Sequence, residues 1–542
     1  MLARILARRF AFTLPQLTAL FALYLVALCN TAFWSKAWQA IAGTPGSKLP
    51  LFAGMAVLLI AGFQLILTLL CWPRWAKGLL MVLALLASIT AYFTASYGVM
   101  IDSAMLRNVF QTDTREALEL LNLKLVLDVL LLGVLPAWLI SRVELQPVRW
   151  PRLLLGKLGQ LVLCLVLMVA VIGVFYSALA SFTRNHKPIR YLINPANGIY
   201  ATIRYVVGER MKAPVVAEPY GRDAKKIAPT QPHKPTLLVL VVGETARAEN
   251  FSLNGYARPT NPELAKLPII NFSQVSSCGT ETAVSVPCMF SGFPRSDFSV
   301  NKGEARENLI DILRTAGLKV VWIDNNSGSK GVAKRLGEVT IPDGGPAPDC
   351  RADECYDTAM LPQLQQALQG AAQDTVVVLH QKGNHGPAYW LRYPAEFEVF
   401  KPVCRTTQLQ DCPREQILNA YDNAIRFTDH FLAQLIGQLQ QRSDYDSAML
   451  YVSDHGESTG ENGLYLHAAP YMIAPSQQTH VPMVAWFSPS YAASRQLDLQ
   501  CLQGERSKAF SHDNWFHTVL GATGVSTSVY QPPLDMLASC RK

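Results

Sequence analysis

Five apolar stretches, at about 12–34, 51–72, 78–98, 123–141 and 153–181, constrain this chain more than any other feature. Each is long enough for a helix rising 1.5 Å per residue to cross a bilayer, which takes roughly 20 residues. Runs such as LFAGMAVLLIAGFQLILTLL have no polar face to turn towards water, so buried helices of a soluble protein do not account for them. The first stretch follows Arg4, Arg8 and Arg9 as a signal peptide would. Four more stretches come after it, and it reads as a retained anchor.

Charge is distributed to match. The 542 residues carry a formal +8, and residues 1–183 account for all of it, with 14 Lys/Arg against 6 Asp/Glu. A uniformly basic nucleic-acid binder is thereby excluded. The chain is 50% hydrophobic and 16% charged, against roughly 25% charged in average soluble proteins, which also excludes a disordered chain and a single soluble globule. The N-terminus, the loop with Arg74 and Lys77, and the loop with Arg142, Arg149 and Arg152 form one basic side. Such loops stay in the cytoplasm. Five spans then deliver everything after about 182 to the far side.

Eleven cysteines give an independent reading of compartment. Cys29, Cys71 and Cys164 lie inside apolar stretches, where a thiol is a small hydrophobe. The other eight follow the last stretch and pair by proximity as Cys278/Cys288, Cys350/Cys355 and Cys404/Cys412, with Cys501 and Cys540 further apart. No CxxC occurs to favour a zinc-thiolate cluster, so disulfides in an oxidising compartment are expected.

Three regions follow: a five-helix transmembrane domain at 1–183, a Pro-punctuated linker at 184–235 with a surface helix near 194–212, and a catalytic domain at 236–542. In the last, TLLVLVV (236–242), LKVVWI (318–323), DTVVVLH (374–380) and SAMLYVS (447–453) read as buried parallel strands. Helical patterns between them predict an α/β domain with a mostly parallel sheet covered on both faces.

Ligands of open α/β sheets bind beyond the carboxyl ends of the strands. Glu244, His380, His385, Asp454 and His455 all follow such ends. Carboxylate and imidazole without thiolate suit Zn²⁺ or Mn²⁺. The segment Ser277–Cys288 adds several hydroxyls, any of which a metal would turn into a nucleophile, although Thr and Ser also serve as helix caps.

The ordered motifs GETAR, CGTET with PCMFS, DNNSGSK, HQKGNHGP, SDHGE and ENGLYLH, together with the five-span anchor, closely resemble the lipid A phosphoethanolamine transferases. That family includes the mobile colistin-resistance enzymes and belongs to the alkaline phosphatase/sulfatase superfamily. The resemblance implies an alkaline-phosphatase-like catalytic domain in the periplasm, anchored in the bacterial inner membrane. It implies a zinc held by Glu244, Asp454, His455 and the nucleophile, which matches Thr282 rather than Thr280. Asn326 and Lys330 match residues that contact phosphoryl oxygens. His385 and His467 match histidines that bind a second zinc or the substrate phosphate, and one of them would protonate the leaving group. Tyr97, Asn108, Thr112 and Glu116 match positions used for the donor head group; without the family they are polar residues of a water-facing loop. Glu281 departs from the family, which places a small residue there. His380 reads as structural, and Lys124 with Asp128 as a local i,i+4 pair.

The implied reaction moves phosphoethanolamine from phosphatidylethanolamine to a lipid A phosphate through a phosphoethanolamine-threonine intermediate, giving resistance to polymyxins and other cationic peptides. A monomer is expected. Alternatives are another envelope acceptor, a phosphoglycerol donor, or a non-catalytic phospholipid receptor. A sulfatase would need a CxPxR-type segment, and none occurs.

Overall fold

The computed structural model describes residues 10–42, 48–111, 118–210, 216–227, 233–341, 349–350, 354–370 and 372–541. The chain divides into two compact units. One comprises Met1–Leu106 and Leu121–Gly208; the other comprises Arg107–Leu120 and Glu209–Lys542.

In the first unit, α1 (Leu14–Leu28) opens on a capping box. Thr13 and Gln16 satisfy each other's backbone N–H groups, which an apolar helix start otherwise leaves bare. A 60° bend separates α1 from α2 (Thr31–Ala42). Asn30 occupies the bend, fully buried, donating to Leu25 O and to Asn194 O at 2.8 Å each. Its amide competes with the helix ladder for a carbonyl, which is why the first apolar stretch breaks. The helices α3 (Lys48–Leu70) and α4 (Ala76–Tyr97) follow without interruption. Between α4 and the next apolar helix lies α5 (Ser103–Gln111). Then come α6 (Leu123–Ser141) and the 36-residue α7 (Trp150–Asn185). Among the described residues four helices are long and apolar enough to cross a membrane, and the bent pair α1–α2 makes a fifth. Leu154, Leu155, Leu158, Val162 and Leu163 of α7 are all exposed, as residues facing lipid rather than protein would be. Lys124 and Asp128 approach to 3.7 Å, the expected local pair. The linker helix is α8, Ala196–Arg210.

The second unit is built on an eight-stranded sheet. In chain order its strands are β1 (Thr236–Gly243), β2 (Ile270–Ser276), β3 (Lys319–Asp324), β4 (Val339–Thr340), β5 (Thr375–His380), β6 (Asp446–Ser453), β7 (His480–Phe487) and β8 (Phe510–Ser511). Across the sheet they run β8-β2-β7-β6-β1-β5-β3-β4. The four expected strands are the central parallel ones, with β1 between β5 and β6. The sequence reading missed β2 and β7. β7 is antiparallel to both neighbours, and its register shifts between Val481 and Met483, at Pro482. Proline cannot donate to a ladder, and a strand that tolerates it at a bulge does not read as one.

Every residue of β1 and β6 is buried, so a period of two divides the strands between two cores rather than between core and water. Leu238, Leu240 and Val242 join Trp322, Phe290 and Phe516 on one face. Leu237, Val239 and Val241 join Tyr421, Phe431 and Leu435 of the long helix α12 on the other. The labels α9 (Thr282–Ser291), α10 (Leu309–Thr315), α11 (Met360–Ala367), α12 (Arg414–Gln440) and α13 (Trp515–Thr523) complete the helices used below. Four disulfides close this unit: Cys278–Cys288, Cys350–Cys355, Cys404–Cys412 and Cys501–Cys540. Cys29, Cys71 and Cys164 are free thiols buried in the helical unit.

Candidate active site

The carboxyl ends of β1 and β6 lie side by side because the two strands pair in register from Thr236 to Gly243. Glu244 leaves the first end, and Asp454 and His455 leave the second. Only glycine fits at Gly243, where a Cβ would stand 2.6 Å from the Tyr451 ring. Thr245 follows at φ 53°, a strained place for a β-branched residue. Two bonds hold it there: Asp454 Oδ1 accepts its N–H at 3.3 Å, and the Tyr421 hydroxyl donates to its carbonyl at 2.6 Å.

Glu244, Asp454 and His455 each present one ligand atom, all within 4.8 Å of one another and all buried. His455 Nδ1 faces Gly456 O at 2.8 Å, so that nitrogen carries the proton and Nε2 offers a lone pair to the cluster. Burial, then the neighbouring His467, hold this imidazole down to about 4, in its neutral form. Burial pushes Asp454 up to about 6. Among the described residues its Oδ2 has no hydrogen-bond partner although fully buried, and it lies 3.5 Å from His455 Nε2. Two carboxylates and an imidazole lone pair converging around an unsatisfied oxygen fit a divalent cation.

Thr282 supplies a hydroxyl to the same place. Its Oγ1 donates to Glu244 Oε2 at 3.0 Å and lies 3.3 Å from His455 Nε2. It is the first residue of α9, whose unpaired N–H groups favour an anion beside it. Thr280, two residues earlier, is elsewhere: its hydroxyl donates to Ala469 O at 2.7 Å. His512 ties the segment just before Thr280 to the end of β6. Its Nδ1 accepts from Cys278 N at 3.1 Å and its Nε2 faces Ser453 O at 3.0 Å.

Other expected residues surround this cluster. Asn326 Nδ2 donates to Glu244 Oε2 and to Gln381 O, both at 2.7 Å. Lys330, at φ 51°, donates to Ser327 O and Oγ at 3.0 and 2.6 Å. The His467 ring centre lies 4.5 Å from that of His455 and 5.3 Å from that of His385. The loop carrying His385 approaches closely, since a Cβ on Gly383 (φ 56°) would stand 2.7 Å from Glu244 O. His380 is paired with Asp324 at 2.8 Å; burial opposes both charges, yet their attraction raises the histidine and lowers the carboxyl. Tyr97 is fully buried in the helical unit, its ring 6.1 Å from that of Tyr92. Thr112, Glu116 and the Asn108 side chain lie outside the described residues.

Sequence reasoning passed over Glu457, although SDHGE contains it. Fully buried, it lies 3.3 Å from His467 Nδ1, and burial pushes it up to about 7. The spacing from His455 was the available signal; that His467 returns to meet it is a tertiary fact.

Comparison with known proteins agrees with this geometry. Residues 236–525 match the Sulfatase family, and residues 59–210 match the family described as phosphoethanolamine transferase EptA/EptB. The chain is 36% identical over 529 residues to phosphoethanolamine transferase EptA of Escherichia coli K12, covering 96% of each. It is 42% identical over 487 residues to phosphatidylethanolamine transferase Mcr-1 of Escherichia coli, covering 87% of this chain and 89% of that one. The structure of the integral membrane lipooligosaccharide phosphoethanolamine transferase A of Neisseria meningitidis matches with a TM-score of 0.92 at 36% identity, over 98% of this chain and all of that one. Similarity that extends through the helical unit as well as the sheet shows that this chain belongs to the phosphoethanolamine transferases, within the alkaline phosphatase/sulfatase superfamily.

Proposed function

We propose that the chain transfers phosphoethanolamine from phosphatidylethanolamine to a phosphate of lipid A, with Thr282 as the nucleophile. The observation that carries this reading is the Thr282 hydroxyl, placed within 3.3 Å of both Glu244 and His455 at a helix start. Residues 1–183 act as the anchor in the bacterial inner membrane, 184–235 as the connector, and 236–542 as a periplasmic catalytic domain; the enzyme works as a monomer. The relatives named for phosphoethanolamine transfer support the donor and the acceptor class.

Glu244, Asp454, His455 and Thr282 would hold one Zn²⁺, and His385 with His467 would take a second or the substrate phosphate. Bound zinc acidifies an alcohol and offsets charge on a phosphoryl group. Thr282 Oγ attacks phosphorus; the new Oγ–P bond forms as the bond to the diacylglycerol oxygen breaks. The proton lost by Thr282 ends on that oxygen, delivered by His467 or His385. Asn326 and Lys330 hold the phosphoryl oxygens. Tyr97, Asn108, Thr112 and Glu116 hold the donor head group. A phosphate oxygen of a lipid A phosphate monoanion then attacks phosphorus; the new O–P bond forms as the Thr282 Oγ–P bond breaks, and the proton that the acceptor phosphate loses passes through His467 or His385 to Thr282 Oγ. The added amine lowers the negative charge of the cell surface, which weakens attraction for polymyxins.

Mass spectrometry of lipid A from cells expressing the chain tests the reading. An added phosphoethanolamine mass is expected with the parent and absent with Thr282→Ala. Unmodified lipid A beside a modified core sugar would move the acceptor elsewhere.

A further inference from the structure

A cavity of about 160 Å³ lies where α1 begins, α3 ends and α7 begins. Two cations, Arg152 and Lys157, line it beside Thr13, Thr18, Thr68 and Gln160, and none of its lining residues is acidic. Lys157 is 8% exposed. Its ammonium donates to Thr68 O and, at 2.7 Å, to Cys71 O, and stands 4.4 Å from the centre of the Trp72 ring. Those carbonyls belong to the end of α3, so Lys157 caps that helix.

Capping does not balance the charge. A helix C-terminus carries about half a negative charge, so two cations leave about one and a half positive charges uncompensated. The starts of α1 and α7 at the same cavity add to that sign. Arg152 even stands in the first turn of α7, the end of a helix that disfavours a cation. Among the described residues neither Arg152 nor Lys157 pairs with a carboxylate.

The depth of the cavity is marked by aromatic rings. Trp72 lies 6.5 Å from Trp75 and 5.9 Å from Trp150, a cluster typical of the membrane–water interface. The basic loops with Arg74, Lys77, Arg142 and Arg149 join the helices at this same end, so the interface is the cytoplasmic one. Leu14, Leu67 and Leu153 complete the wall with apolar surface, from which a free ion gains nothing and a lipid does.

We propose that this cavity binds an anionic phospholipid of the inner leaflet, its headgroup phosphate between Arg152 and Lys157. A basic pocket between helices at the cytoplasmic face attracts net negative headgroups. A zwitterionic lipid brings an ammonium of its own to two cations and is held less well. The proposal rests on the membrane reading and is independent of the reaction.

Native mass spectrometry of the full-length enzyme in detergent tests it, with phosphatidylglycerol and phosphatidylcholine of identical chains as probes. Phosphatidylglycerol is expected to be retained in preference. Arg152 is exposed, so Arg152→Gln leaves the packing intact; it is expected to weaken phosphatidylglycerol binding about fivefold, with phosphatidylcholine unchanged. Arg149→Gln removes a neighbouring charge outside the cavity and is expected to change neither. Equal retention of the two lipids, or equal losses from Arg152→Gln and Arg149→Gln, would overturn the proposal, the latter by reducing it to diffuse surface charge. Displacement of phosphatidylglycerol by excess inorganic phosphate would also overturn it, by making the occupant a free anion. Lys157→Gln uncaps α3 as well, so the decision is left to Arg152.

Discussion

Asn326 donates a 2.7 Å hydrogen bond to Glu244 Oε2 from a loop 82 positions further along the chain. That bond fixes the orientation of the carboxylate, whose Oε1 lies 3.5 Å from His455 Nε2 while Oε2 also accepts from Thr282. Partners that orient a ligand typically contribute 10–100-fold to metal affinity or activity. Asn326→Ala is therefore expected to lower transfer about 10- to 100-fold, and Asn326→Asp further, because it sets a carboxylate against a carboxylate. Zinc content per protein, measured beside activity, separates lost metal from lost chemistry.

The two threonines of CGTET make a matched pair. Thr282→Ala removes the hydroxyl at the cluster and is expected to reduce transfer by at least roughly 10³-fold, as loss of a covalent nucleophile does. Thr280→Ala removes only the bond to Ala469 O, and is expected to lower stability by about 1 kcal/mol while retaining most activity. Identical activity losses in the two variants would move the nucleophile elsewhere.

Metal removal should be legible in stability as well as rate. A ligand present at 1,000 times its Kd stabilises the folded state by about 4 kcal/mol. Chelation is expected to abolish transfer and lower Tm, and added Zn²⁺ to restore both. Asp454→Asn is expected to blunt the restoration. Activity that survives exhaustive chelation would refute the metal assignment.

Acid should weaken the catalytic unit through two histidines outside the cluster. Burial holds His512 down to about 3 and His517 down to about 4, both neutral in the fold. Unfolded, they take protons near their ordinary 6.5. Between that pH and about 4 the unfolded chain binds more protons, so stability present above 6.5 is lost as pH falls through this window. Asp429, pushed up to about 7 by burial, runs the other way: its contribution is present at acid pH and fades as pH rises from 3.8. A variant difference isolates the histidine. The Tm advantage of the parent over His517→Gln is expected to shrink from pH 7 to pH 4, and an advantage constant across that range would exclude this origin.

Much of this architecture is legible before any folding is considered. The five apolar stretches announce the helical unit by length alone, since no soluble face remains on them. TLLVLVV and SAMLYVS announce central strands because burial on both faces leaves an unbroken apolar run. β7 escaped notice for the converse reason: Pro482 and a register shift blur its pattern, and pairing with β2 and β6 is what makes it a strand. The bend at Asn30 was equally hidden, for it depends on Asn194, 164 positions away.

For the site, residue type and order along the chain pointed to Glu244, Asp454 and His455, because motif spacing is a property of the polymer, and the family resemblance singled out Thr282 among several nearby hydroxyls. Convergence is a property of the fold. That Thr282 and not Thr280 turns towards Glu244, and that Asn326 grips the same carboxylate, are set by contacts between segments tens to hundreds of residues apart. Local pattern carries no record of such contacts. They form only when burying apolar surface forces distant strand ends onto one rim, where polar groups removed from water must find one another.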